Sequence, residues 1–275
     1  MLWLVTNAAS GGNLGSVAAA VAEALAPVDR QLALPDDDLP SREELEASGV
    51  EVLALFAGDG TANAAISALD EWPGAVLVLP GGTQNLLARA LHGEREAAEI
   101  AGDFRRGALH PVRRHLVRSR HGDGLCEIVA GPGATFSEVR EALRDRDVGE
   151  FASAAGEALR QTAVGPTVRI GEPAIGKSEG YQAIRLHPDG ETLAVDGYSA
   201  DSLADYARQG LAILARDFRS GPHDELGRHA SVVCCSDSPI ELMIDGERAT
   251  GGTEERFAIA RCNVTLLASS ATGQP

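Results

Sequence analysis

The order of apolar and polar residues changes character once along this chain. Through the first hundred residues, short unbroken apolar runs alternate with stretches of helical periodicity. Residues 2–6 form an apolar run closed by the turn residues Asn7-Ala8-Ala9-Ser10-Gly11-Gly12. Leu14, Val17, Val21 and Leu25 then recur at helical spacing. Residues 31–34 read as a weak strand stopped by Pro35, and Ser41 with Glu44 forms a capping box for a helix ending near Gly49. Residues 52–56 and 75–79 are continuous apolar runs, as expected of strands buried on both faces. Helical patterns follow at 62–69, 84–91 and 94–101. Strands and helices alternating through short connections imply a parallel sheet covered by helices.

Beyond residue 107 the period shortens. From 108 to about 135 the runs are strand-like, with His121-Gly122-Asp123-Gly124 as a hairpin turn. Helical stretches are expected at 137–145, 151–162 and 201–217. Strands are expected at 167–170, 181–186, 192–195, 231–235 and 240–244, separated by Gly- and Pro-rich turns. The reading is an α/β protein of two domains. Residues 1–107 make a parallel-sheet domain, and 108–254 make an antiparallel β-sandwich.

Composition narrows the functional classes. With 275 residues and 44% apolar content, the chain has enough material for two cores. A net charge of −16 excludes a general nucleic-acid binder, which needs cationic surface. One stretch opposes the trend: Arg105, Arg106, Arg113, Arg114, Arg118 and Arg120 lie in a segment free of acidic residues. It reads as a solvated strand and turn, the alternative being a landing patch for phosphate or lipid headgroups. Cys126, Cys234, Cys235 and Cys262 lack metal-site spacing and read as reduced thiols, one of the adjacent pair being core. The N-terminus lacks a signal peptide's basic region, and no apolar run reaches the roughly 18–20 residues of a membrane span. These features imply a cytoplasmic protein, with peripheral contact at the inner membrane face as its membrane association.

Candidate chemistry sits at two strand ends. Ala57-Gly58-Asp59-Gly60-Thr61 marks a strand-to-helix handover, where glycines let backbone N–H groups approach phosphate oxygens and the helix N-terminus adds positive potential. Asp59 repels phosphate, so it acts through a metal or by orienting a donor. Pro80-Gly81-Gly82-Thr83-Gln84-Asn85 repeats the setting one unit later. Parallel sheets bind ligands at the carboxyl ends of their strands, so the two loops face one crevice.

AGDGTAN at 57–63, followed by LPGGTQNLLARAL, resembles the catalytic domain of the diacylglycerol kinase family, which includes bacterial lipid kinases and sphingosine kinases. The likeness is specific over residues 2–107 and extends loosely to the turn after Thr6. It implies a first domain of the phosphofructokinase/NAD kinase type, to which residues 255–275 return. It implies ATP held by Asn7, Ser10, Gly58, Asp59, Gly60, Thr61, Gly82, Thr83 and Asn85, with Mg²⁺ bridging the phosphates. Asp245-Gly246-Glu247 is similar to the family's late DGE motif, which makes Asp245 the general base and Glu247 its support. The bland reading of Asp245-Gly246 is a hairpin turn. Asp189-Gly190 matches the family's metal-binding loop only in part, and with Asp59 it is the candidate metal ligand. Ala57, Ala64 and Leu86 depart from the pattern, Leu86 standing where an Asp is frequent.

The implied activity is transfer of the γ-phosphate of ATP to a hydroxyl of a diacylglycerol- or sphingoid-like lipid, within phospholipid metabolism. The alternatives are a NAD kinase-like enzyme and a non-catalytic nucleotide- or lipid-binding protein. The expected partner is a lipid alcohol, and a homodimer is compatible with the sequence. Gly171–Ser178 also fits GxxxxGK[ST] and holds the only lysine of the chain, Lys177. A working P-loop needs a helix after it, whereas a strand-like run follows, so this match reads as chance. His187, His223 and His229 read as turn or surface residues.

Overall fold

The computed structural model describes residues 1–7, 14–132, 166–199 and 223–271. The helices expected at 137–145, 151–162 and 201–217, and Ser10, lie outside the described residues. The chain divides into two units, Met1–Arg114 with Arg261–Pro275, and His115–Ala260.

The first unit runs β1 (Leu2–Asn7), α1 (Leu14–Ala24), β2 (Arg30–Leu34), α2 (Arg42–Ala47), β3 (Val52–Ala57), α3 (Asp59–Ala68), β4 (Ala75–Pro80), α4 (Leu86–His92), α5 (Ala97–Arg105) and β5 (His110–Val112). β1 pairs in parallel with β2 and β3, and β3 pairs in parallel with β4. The register sets Ala57 opposite Pro80, so β3 and β4 end level. The two apolar runs are buried on both sides. Ala54, Phe56, Leu77 and Leu79 meet Val21 of α1, Leu25 just after it and Ile100 of α5, while Leu53, Leu55, Val76 and Val78 are buried as well. Each such side chain contributes about 1.5–3 kcal/mol on burial. At α2, Ser41 Oγ accepts the Glu44 N–H as expected of an N-cap, but the Glu44 carboxylate turns to Arg30 at 2.7 Å.

The second unit holds β6 (His115–Arg118), β7 (Ile128–Ala130), β8 (Arg169–Glu172), β9 (Ala183–Asp189), β10 (Thr192–Tyr198), β11 (Asp224–His229), β12 (Ser231–Cys235), β13 (Glu241–Ile244), β14 (Glu247–Thr250) and β15 (Glu254–Arg261). One sheet is ordered β11-β10-β9-β7-β13-β14 and the other β6-β15-β12-β8. Their inner faces share one core containing Val117, Ile128, Ile170, Ile184, Leu242 and Phe257. This is the expected antiparallel β-sandwich. Cys234 is fully buried there while Cys235 is half-exposed, as alternation along a strand requires.

The last strand, β16 (Thr265–Ala268), returns to the first sheet and pairs in parallel with β4. β5 then pairs antiparallel with β16, making a mixed edge on an otherwise parallel sheet. Two assignments therefore change. β5 lies beyond residue 107 yet belongs to the first sheet. Residues 255–260, expected to return, form most of β15, which pairs with β12 in the second unit. Cross-strand partners decide both cases, and neither partner is near in sequence. β11 was also missed, because Asp-Glu-Leu-Gly-Arg-His carries a single apolar residue on an edge strand.

Candidate functional site

Three loops of the first unit are fastened to one another at the carboxyl ends of β1, β3 and β4. Asn7 closes β1 and donates Nδ2–H to Thr61 Oγ1 at 2.9 Å. Gly58 is extended and hands the chain directly into α3, so the helix opens at Asp59 rather than at the expected 62. The first amide to reach back along the helix is Ala62, to the Gly58 carbonyl at 3.0 Å. The amides of Asp59, Gly60 and Thr61 thus precede the helical ladder, where a helix offers donors and positive potential to an anion.

The second loop leans on the first. A Cβ on Gly82 would stand 2.6 Å from Gly58 Cα, and one on Gly81 would stand 2.6 Å from the Ala57 nitrogen. Asn85 organises this loop from a left-handed conformation, φ 53°. Its Oδ1 accepts the Gly82 N–H at 2.7 Å and its Nδ2–H donates to the Gly82 carbonyl at 2.9 Å. Asparagine is among the few non-glycine residues that tolerate this backbone. Asp59 Oδ1 accepts the Leu87 N–H at 3.1 Å, tying the start of α3 to the first turn of α4. Thr83 is exposed at the loop tip, and Leu86 is the first residue of α4.

In the second unit, Asp245 occupies the turn between β13 and β14 with φ 46° and is 5% exposed. The hairpin-turn reading of the Asp-Gly pair holds, and the turn brings the carboxylate into a cluster of backbone donors. Oδ2 accepts the Leu125 N–H at 2.6 Å, and Oδ1 accepts those of Cys126 and Glu127 at 2.9 Å each. The Asp245 N–H donates in return to the Glu127 carbonyl at 3.1 Å. Glu247 is exposed on β14 opposite Ile244, in a different environment from Asp245.

Asp189 ends β9 and is paired with Arg228, whose Nη2 and Nε lie 2.5 and 2.6 Å from Oδ2. A fixed cation thus engages the carboxylate assigned to a metal. Among the described residues no three His, Cys, Asp or Glu side chains stand together as ligands. Asp59 belongs to the first unit and Asp189 to the second.

A buried polar row crosses the middle of the β11–β14 sheet. Arg185 on β9 donates Nε–H to Glu127 Oε2 at 2.7 Å and Nη1–H to Asp196 Oδ2 at 3.4 Å. His187 Nε2 is 3.3 Å from Asp196 Oδ2, and His223 Nε2 is 3.9 Å from Oδ1. Burial pulls the Asp196 carboxyl upward, but His187 and the charges of Arg185 and His223 outweigh it and hold it below its usual value. Burial pushes the neighbouring Tyr198 hydroxyl up to about 12. His187 and His223 also line a cavity of about 250 Å³ with Asp189, Asp196, Glu225 and Arg228. His187 faces the Asp196 carboxylate across the β9–β10 pairing, which corrects its reading as a turn or surface residue, whereas His223 is exposed ahead of β11, as expected.

The stretch GEPAIGKS is a connection between antiparallel strands. Ile175 bridges back to Ile170 and Tyr181 to Val168. Lys177 pairs with Asp224 at 2.9 Å. No helix follows, so the P-loop match is fortuitous. The six arginines are mostly absorbed locally. Arg105 binds the Leu25 and Pro27 carbonyls, Arg106 pairs with Asp103, and Arg114 binds the Ala90 carbonyl. Arg118 pairs with Asp123 and Arg120 with Glu255.

Residues 1–117 match the family model of the diacylglycerol kinase catalytic domain. The resemblance read from AGDGTAN and LPGGTQN is thereby borne out. A diacylglycerol kinase from Bacillus anthracis str. Sterne shares 17% identity and superposes at a TM-score of 0.65, covering 97% of this chain and 96% of that chain. A candidate diacylglycerol kinase from the same organism shares 17% identity at a TM-score of 0.64, covering 98% of this chain and 96% of that one. Such likeness extends the shared fold over both units. No curated protein matches the chain.

Proposed function

We propose, starting from the match of residues 1–117 to the diacylglycerol kinase catalytic domain, that this protein is an ATP-dependent lipid kinase. It transfers the γ-phosphoryl group to a hydroxyl of a diacylglycerol- or sphingoid-like alcohol. The observation that carries the reading is the interlocking of the Gly58–Thr61 and Gly82–Asn85 loops at level strand ends, with three α3 amides ahead of the helical ladder.

In this reading Asn7, Ser10, Gly58, Asp59, Gly60, Thr61, Gly82, Thr83 and Asn85 make the nucleotide site. Helix-terminal N–H groups complement phosphate charge at no cost of reorganisation. Asp245 accepts the acceptor hydroxyl's proton as its oxygen bonds to phosphorus and ADP departs. Three backbone donors fix the orientation of that carboxylate. Glu247 supports it only from the solvent side, since it is exposed. Mg²⁺ bridging the phosphates belongs to this reading, with Asp59 the carboxylate that would help hold it and the ion spreading the phosphate charge.

The test is transfer of radiolabelled γ-phosphate into a total lipid extract, with wild type and Asp245→Asn side by side and NAD as a competing acceptor. Lipid labelling lost in the variant supports the reading. Full labelling by Asp245→Asn removes Asp245 from the chemistry, and labelling of NAD alone selects the NAD kinase-like alternative. A second reading, nucleotide binding without transfer, is favoured by Leu86, which opens α4 where an Asp is frequent in the family. ATP binding without labelling of any acceptor selects it.

The described residues contain no helix long and apolar enough to cross a membrane. An encounter with a lipid alcohol at a cytoplasmic membrane face is part of the proposal.

A further inference from the structure

Asp245 does not hold its loop alone. Among its three N–H donors, Glu127 also has its side chain anchored. The Glu127 carboxylate is 3% exposed and is met by Arg185 Nε at 2.7 Å. Arg185 stands on the central strand β9, directly opposite Asp196 on β10, while β7 pairs along its other edge. Its guanidinium thus bridges two carboxylates from the flanking chain segments. The Glu127 main chain exchanges two hydrogen bonds with Asp245, at 2.9 Å through its N–H and 3.1 Å through its carbonyl. One residue is therefore gripped by its side chain on one side and by its backbone on the other.

We propose that Arg185 is a positioning residue for Asp245: by clamping Glu127 it fixes the Leu125–Glu127 backbone whose amides aim the Asp245 carboxylate. The inference rests on the reading that Asp245 serves phosphoryl transfer. Arg185 is linked to Asp245 through Glu127, so its influence passes through the loop. A guanidinium suits this role because its rigid fork can hold two carboxylates at once, which a single ammonium does less well. Misplacing a reacting group by about an ångström costs on the order of a hundredfold in rate, so a small movement of the loop suffices.

The experiment uses the full chain with γ-labelled ATP and phosphatidylcholine vesicles carrying diacylglycerol or sphingosine. Wild type, Arg185→Met, Arg185→Lys, Glu127→Gln, Arg185→Met with Glu127→Gln, and Asp245→Asn are compared. Hydrogen exchange is followed at the amides of Leu125–Glu127. Arg185→Met is expected to lower kcat by about tenfold to a hundredfold with KM for ATP little changed, and to speed exchange at these amides. Arg185→Lys recovers part of both effects. Where Arg185→Met fails to fold because two carboxylates lose their partner, the double variant, which removes the Glu127 charge, takes its place. The double variant is expected to be no slower than Arg185→Met, because both changes cut the same link.

Wild-type kcat and exchange in Arg185→Met or the double variant, beside an inactive Asp245→Asn, overturn the positioning role and leave the proposed function standing. A fully active Asp245→Asn overturns the role of Asp245 in transfer and, with it, the catalytic meaning of the clamp. Unchanged exchange at Leu125–Glu127 overturns the clamp itself, whatever the activity.

Discussion

Gly82 lies against Gly58 so closely that a single methyl group on it would meet the Gly58 Cα at 2.6 Å. The contact is backbone against backbone, with no flexible side chain to give way. Gly82→Ala must therefore move one loop away from the other. Overpacking of this kind costs about 1–3 kcal/mol, and ATP affinity is expected to fall by about fivefold to a hundredfold if that cost is taken from binding at about 1.4 kcal/mol per tenfold. Isothermal titration with a non-hydrolysable ATP analogue measures it. Unchanged affinity would show that the two loops do not act as one nucleotide site.

Asp59 has two separable properties, a hydrogen-bond acceptor and a charge. Asp59→Asn keeps an acceptor for the Leu87 N–H, whereas Asp59→Ala loses it. Loss of such a cap costs about 0.5–2 kcal/mol. The expected result is a thermal midpoint near wild type for Asn and a lowered one for Ala, with transfer reduced in both. Full transfer by the Asn variant would limit Asp59 to the structural tie.

Lys177→Ala should leave ATP affinity unchanged. The lysine pairs with Asp224 in an exposed setting, and such pairs contribute about 0–1 kcal/mol. Titration and a denaturation curve check both parts. A marked loss of ATP affinity would revive the P-loop reading.

His92 gives the first unit a pH dependence. It is 3% exposed on α4, with Nδ1 3.0 Å from Ser269 Oγ beyond β16. Burial, reinforced by the nearby Arg95 charge, pulls its pKa from 6.5 to about 4. Between these values the unfolded chain binds the proton and the folded chain does not. Stability from this group is thus fully present above pH 6.5 and falls as pH drops toward 4, by on the order of 3 kcal/mol. Urea unfolding of wild type and His92→Asn across that window should show a steeper acid loss in wild type. Parallel pH profiles would exclude a depressed His92.

The sequence by itself determined where the two glycine-rich loops sit. Each buried strand of the first unit is a local apolar run, and its loop follows within two or three residues, so AGDGTAN and PGGTQN mark both the parallel sheet and the carboxyl ends of its strands. Residues 52–56 and 75–79 became β3 and β4 almost unchanged. The alternation at 231–235 likewise foretold one buried and one half-exposed cysteine.

Tertiary structure alone decided which partners those residues meet. Asn7 and Thr61, Asp59 and Leu87, and Asp245 and Glu127 are separated by 54, 28 and 118 positions, and no local pattern encodes such pairings. The polar row of Glu127, Arg185 and Asp196 left no signal, because polar residues on a strand read as solvent-facing and their partners lie on neighbouring strands and loops. The return of β16, and the retention of β15 in the second sheet, were settled the same way. Backbone ladders between distant strands carry the decision, and hydrophobic periodicity marks only that a strand exists.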